Sequence, residues 1–252
     1  MRDPALLVVL LAVSVVALAQ DYIIQFVPRA APPAGQTIVS DDFDRANNES
    51  LGSNWGLENG GADYDIDTNQ VKHQTGSSGT TIWINDTASA TQWACVQRVD
   101  SAGSLFNGVK LRVQEDADTS DSYAARWDTS SNLLLVRTCN TASCSTIGST
   151  HSYTFAQDHW LCAYVTGTGS STEFALWDFS TAPDTDQTNW GTAEVCWCDG
   201  GTCSFGDCSG ATIINAEPGA GNYSDCASGC FVGLYNGGAQ TQDFDNFVAG
   251  WD

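Results

Sequence analysis

Three features of the chain predict an all-β fold, an antiparallel sandwich of single-domain size. Apolar residues alternate with polar ones in short runs separated by Gly, Asn, Asp and Ser, the period-two pattern of half-buried strands. No stretch of ten residues carries a helical stripe. The acid content is lopsided, with 24 Asp against 6 Glu, and lysine occurs only at Lys72 and Lys110. Asp suits turns and calcium loops, whereas Glu and Lys favour helices. The pattern begins near residue 40 and runs to the end of the 252 residues, enough for one sandwich.

Residues 1–19 read as an export signal. Arg2 precedes an apolar run over residues 5–19, and Ala17-Leu18-Ala19 places small residues where a signal peptidase cuts, so cleavage is expected before Gln20. The run falls short of the roughly 20 residues needed to cross a bilayer, and no membrane span is expected after cleavage. Residues 20–39 form an arm and a linker. Tyr22, Ile23, Ile24, Phe26 and Val27 make the arm apolar, and Pro28, Pro32, Pro33 and Gly35 then interrupt regular structure. This arm is expected to pack as an added strand, on its own domain or on a second copy of the chain.

From residue 40 the strands follow in order. Residues 81–84 and 93–99 are the first clear apolar runs. Residues 109–114 alternate with Val109, Leu111 and Val113 inward and Lys110, Arg112 and Gln114 outward. Residues 123–127, 133–137, 160–166 and 172–177 continue the series. A loop-rich stretch over about 180–229 then carries five cysteines and reads as an insertion on one edge or rim.

Two end segments add a family resemblance. Ser40-Asp41-Asp42-Phe43-Asp44-Arg45-Ala46-Asn47 is followed by Leu51-Gly52-Ser53-Asn54-Trp55. Near the other end, Phe231-Val232-Gly233-Leu234-Tyr235-Asn236-Gly237-Gly238 precedes Phe244-Asp245-Asn246-Phe247-Val248-Ala249-Gly250. With Arg98-Val99-Asp100, the strand over 108–113, Tyr123 to Trp127 and the run from Trp160 to Gly167, these resemble concanavalin A-like lectin/glucanase modules of the laminin G-like jelly-roll type. The resemblance covers residues 40–252 and implies a jelly-roll sandwich whose first and last strands are neighbours. Modules of this kind occur in exported bacterial proteins and in phage particles. Their glucanases carry a Glu-x-Asp-x-x-Glu strand, which this chain lacks: Glu49, Glu58, Glu115, Glu173, Glu194 and Glu217 are scattered. The resemblance therefore implies the scaffold without its hydrolytic acids.

Ten cysteines in an exported chain predict five disulfides. Cys139 and Cys144 flank a turn and should close a hairpin, and Cys95 and Cys162 lie in two predicted strands that a bridge can join. Cys196, Cys198, Cys203, Cys208, Cys226 and Cys230 leave their pairing open. A zinc cluster is the rival reading, disfavoured because no CxxC pair is present and no histidine falls within the group. Glycosylation sequons begin at Asn48, Asn85 and Asn222. A net charge of -21 argues against nucleic acid or an anionic membrane surface as a partner, and neither is expected.

Two candidate sites follow. Calcium is the candidate cofactor, against the reading that these acids are turn or exposed strand residues: Asp63, Asp65 and Asp67 alternate along one side of an extended segment, and Asp42 and Asp245 converge if the first and last strands are neighbours. For sugar, parity places Leu161, Ala163, Val165, Phe174 and Leu176 inward. That leaves Tyr164, Glu173 and Trp177 on the outer face, joined by Arg112, as a stacking and hydrogen-bonding platform. The three histidines have no Gly-x-Ser-x-Gly elbow beside them, and the glycine-rich runs lack a P-loop lysine. The leading reading is a secreted, disulfide-stapled module that binds carbohydrate or decorates a surface without catalysis. The alternatives are a structural subunit of an extracellular fibre, envelope or virion surface, and an atypical glycoside hydrolase.

Overall fold

The alternating runs form strands that divide between two sheets. In a computed structural model, the described residues are 36–48, 50–57, 64–73, 79–83, 88–99, 106–114, 122–140, 143–187, 189–220, 226, 229–236 and 243–252. All of them fall in one unit, Pro32–Asp252. The predicted signal peptide, the apolar arm, Asp63, Asn85 and Asn222 lie outside the described residues.

The first sheet contains β1 (Thr37–Asp41), β3 (Tyr64–Asp67), β4 (Gln70–His73), β6 (Gln92–Arg98), β12 (Trp160–Thr166), β13 (Glu173–Phe179), β14 (Val195–Cys198), β15 (Thr212–Asn215) and β17 (Asp243–Trp251). The second contains β2 (Trp55–Leu57), β5 (Gly79–Trp83), β7 (Phe106–Val113), β8 (Ser122–Asp128), β9 (Leu133–Asn140), β10 (Ser143–Thr146), β11 (His151–Ser152) and β16 (Phe231–Asn236). Their spatial orders are β15-β14-β13-β12-β6-β17-β4-β3 and β10-β9-β8-β7-β16-β5-β2, with β1 on β17 and β11 on β9. The chain passes repeatedly from one sheet to the other, the jelly-roll connectivity of the predicted sandwich. Among the described residues, every strand pairing is antiparallel except that of β14 with β15.

The core forms where the inner faces meet. Val109, Ala125 and Val136 lie in register across β7, β8 and β9, and Leu161 and Ala163 face them from β12; all five are fully buried. Trp127 stacks on Phe155 at 4.8 Å and meets Phe244 edge-on at 6.2 Å, joining the sheets. β1 and β17 are neighbours, with Thr37 opposite Trp251 and Asp41 opposite Phe247, as the resemblance implies.

The opening motif has a structural explanation. The Asp41 carboxylate accepts both terminal guanidinium nitrogens of Arg45, at 2.6 and 3.0 Å, the Trp55 indole N–H at 2.8 Å and the Phe43 amide at 2.9 Å. One carboxylate thus fixes the turn after β1 and orients Trp55 against Phe247 and Trp83.

All ten cysteines are paired. Cys95–Cys162 joins directly opposed residues of β6 and β12, and Cys139–Cys144 closes the β9–β10 hairpin, both as expected. The open set resolves into Cys196–Cys208, Cys198–Cys203 and Cys226–Cys230. The stretch over 180–229 is not all loop: β14 and β15 extend the first sheet past β13, and the segment between them folds back over that sheet's outer face.

Candidate functional site

The predicted sugar platform is covered. Tyr164, Glu173 and Trp177 do share the outer face of β12 and β13, but the segments before and after β14 lie on them. The Phe205 ring stacks on Tyr164 at 4.7 Å and 14°, occupying the surface a sugar ring would use. Trp177 is 2% exposed, donates its indole N–H to the Gly191 carbonyl at 3.1 Å and meets Trp190 edge-on at 4.9 Å. Glu173 is buried and accepts the Ser204 and Phe205 amides at 2.8 and 3.1 Å, which anchors the cap. Burial, partly opposed by a hydrogen bond to Thr166, pushes the Tyr164 phenol pKa up. Trp177, with Tyr164 packed against it, belongs to a second, aromatic core that includes Trp93, Trp160 and Trp190.

Arg112 does not join that face: β7 belongs to the second sheet, whose outer side is the opposite surface of the sandwich, and Arg112 does not point outward even there. Between Phe231 and Gly233 the β7–β16 register slips, and Arg112 adopts φ 52°, so a bulge breaks the alternation that placed it outward. Its guanidinium is turned to the Ala90 and Gly167 carbonyls, at 2.7 and 2.6 Å, and the residue is fully buried. Strict parity fails here because one extra residue reverses every later side chain.

The candidate calcium ligands divide into two places. Pairing of β1 with β17 brings Asp42, Asp44 and Asp245 into mutual influence: burial raises the Asp245 pKa first, and the charges of Asp42 and Asp44 raise it further, against a 2.8 Å bond from the Asn246 amide. Asp67 is held elsewhere, by the Lys72 ammonium at 2.6 Å and the Asn47 amide at 2.8 Å. The Lys72 hydrogen bond is the main reason its pKa is lowered. Among the described residues, the three His, Cys, Asp or Glu side chains whose ligand atoms lie within 4.8 Å of one another are Cys196, Cys203 and Cys208, and all three are committed to disulfides. His159 Nδ1 lies 2.7 Å from Asp178, which also accepts the Tyr153 hydroxyl at 2.7 Å, a polar tie between β13 and the segment before β12.

An open cleft of about 540 Å³ lies beside the β3–β4 hairpin, lined by Asn47, Asn48, Asp65, Ile66, Asp67 and Lys72. Its geometry is built locally. Thr68 and Asn69 both take positive φ, 54° and 63°, forming the two-residue turn that joins β3 to β4 and sets Asp65 opposite Lys72. The Asn48 amide and carbonyl bond the Ile66 backbone at 3.0 and 2.8 Å, and Asn47 accepts the Thr68 amide at 2.9 Å. Amides, carboxylates and an ammonium therefore face solvent around a small apolar floor, the donor and acceptor mixture that sugar hydroxyls require. Sequence reasoning found Asp65 and Asp67 through their alternation but missed Asn47, Asn48 and Lys72. Their contribution depends on a bridge between segments that the spacing does not reveal.

No protein-family model matches the chain, and no curated protein matches it in sequence. Solved structures similar to it include the carbohydrate-binding module CBM66 from Bacillus subtilis, at 12% identity and a TM-score of 0.45, covering 81% of this chain and 95% of that one. The non-specific endo-β-1,3(4)-glucanase SCLam of family GH16 has 8% identity and a TM-score of 0.47, with 88% and 93% covered. A glycosyl hydrolase family protein from Mycobacterium fortuitum has 10% identity and a TM-score of 0.45, with 84% and 98% covered.

Proposed function

We propose that the protein is an extracellular, disulfide-stapled module that binds carbohydrate without catalysis, through the cleft beside the β3–β4 hairpin. The cleft carries this reading: its volume suits a small ligand, and five of its six lining side chains offer hydrogen bonds in planar or point-charge form. Five disulfides support an oxidising compartment. A panel of immobilised neutral and acidic polysaccharides tests the reading. Specific binding is expected, about tenfold weaker in Asp65→Ala and Lys72→Ala at unchanged melting temperature. Failure to bind any glycan, equal binding by both variants, or release of reducing ends would overturn it.

Calcium is proposed at Asp42 and Asp245, because a divalent cation would favour the charged form of a carboxylate that burial, first, and the charges of Asp42 and Asp44 disfavour. Calcium should then raise the melting temperature and a chelator should reverse the rise. No change on either treatment would remove the cation from the proposal.

A further inference from the structure

The cleft and a glycosylation sequon share a residue. Asn48-Glu49-Ser50 satisfies the acceptor rule, and Asn48 is at once the acceptor and part of the cleft lining. Its side chain is exposed, as the modification requires. Its backbone is fixed rather than loose, because both its amide and its carbonyl bond Ile66. A sugar attached here therefore starts from a held position at the cleft mouth instead of swinging on a free loop. The groups within reach, Asn47, Asp65, Asp67 and Lys72, offer both donors and acceptors, which match the hydroxyls and acetamido group of a first N-acetylhexosamine. The complete pairing of ten cysteines supports passage through an oxidising secretory compartment, where such a transfer takes place.

We infer that Asn48 carries an N-linked glycan and that this glycan covers the cleft, so that the modification regulates access to it. The regulation rests on the carbohydrate-binding reading; the modification does not. In the transfer, the Asn48 amide nitrogen forms a bond to C1 of a saccharide donated by an oligosaccharyl lipid diphosphate. The C1–phosphate oxygen bond breaks, the lipid diphosphate departs and one amide proton is lost. No oxidant or reductant is needed.

The experiment uses the full chain secreted from a eukaryotic cell line, beside the variant Ser50→Ala. That change abolishes the acceptor triplet and leaves every lining side chain of the cleft in place. Because it also removes the hydroxyl that accepts the Gly52 amide at 3.0 Å, the unmodified sequence secreted to a bacterial periplasm serves as a second unglycosylated control for exchange and binding. Peptide mapping should find Asn48 occupied in the unmodified sequence. Amide hydrogen exchange over residues 65–72 should be slower in the glycosylated protein than in Ser50→Ala. Binding of free glycan should be about tenfold stronger in Ser50→Ala. An unmodified Asn48 peptide overturns the inference, whether or not glycans bind. Occupied Asn48 with equal exchange in the two forms overturns the covering of the cleft. Occupied Asn48 with slower exchange, but no glycan bound by either form, supports the covering and sinks the carbohydrate-binding reading instead.

Discussion

Trp177 illustrates how a side chain's role depends on what lies above its sheet. Its ring is enclosed by Trp190 at 4.9 Å and Phe205 at 5.9 Å, so Trp177→Ala should leave a cavity and cost about 3–5 kcal/mol, read by chemical denaturation. A loss within experimental error would mean that the cap contributes no packing. Asp245 gives a pH signature. Its folded pKa is raised, so the folded protein holds the proton more tightly than the unfolded chain. Stability from this group therefore falls as pH rises from the ordinary aspartate range through the raised value. In chelator, Asp245→Asn should stabilise the protein near neutral pH and lose that advantage in acid. With calcium present the same change should be destabilising, because the cation needs the charged carboxylate. Identical stability of the two proteins at every pH would contradict the raised Asp245 pKa, which burial causes first and the charges of Asp42 and Asp44 add to.

Among the elements, the bridges differ in what they restrain. Cys95–Cys162 closes a loop with a sequence separation of 67, whereas Cys139–Cys144 closes one of 5 within a hairpin that β9 and β10 already hold. Chain entropy then assigns about 4 kcal/mol to the first and about 2 kcal/mol to the second. Serine substitution of each pair, followed by urea unfolding, should give that order; the reverse would show that strain or residual unfolded structure dominates. The cap over β12 and β13 depends on Cys196–Cys208, Cys198–Cys203 and the Glu173 anchor together. Glu173→Gln keeps the shape but removes the charge-assisted bonds to Ser204 and Phe205, at a cost of about 1.5–3 kcal/mol. A protease-accessible cap in that variant, with the rest of the sandwich intact, is the expected result in limited digestion.

For the whole molecule, the unit Pro32–Asp252 contains the described strands and the two largest apolar clusters, between the sheets and on the outer face of the first. Deleting residues 20–35 should therefore leave a sandwich with unchanged circular dichroism. If the apolar arm serves assembly, as the structural reading of the chain proposes, the deletion should also convert an oligomer to a monomer in native mass measurement. An unfolded product would place the arm in its own domain's core.

The sequence by itself determined the class of fold and the disulfide character, because period-two alternation, turn residues and an even set of cysteines are read locally; the pairing of the first and last strands came from the family resemblance. Val109, Leu111, Leu161 and Val165 point inward as parity requires, and Cys139 meets Cys144 across a short turn. Only the tertiary structure decided which outer faces reach solvent. Alternation marks Trp177 as outward and cannot report that a distant segment comes back to cover it. Arg112 escaped for different reasons: β7 lies in the other sheet, and the one-residue bulge opposite Val232 reverses the side on which it stands. The cleft was likewise invisible, because Asn48 and Lys72 become neighbours only when the loop after β1 bridges to β3. Local pattern decides which residues can form a strand, and long-range packing decides which of its two faces is left to bind.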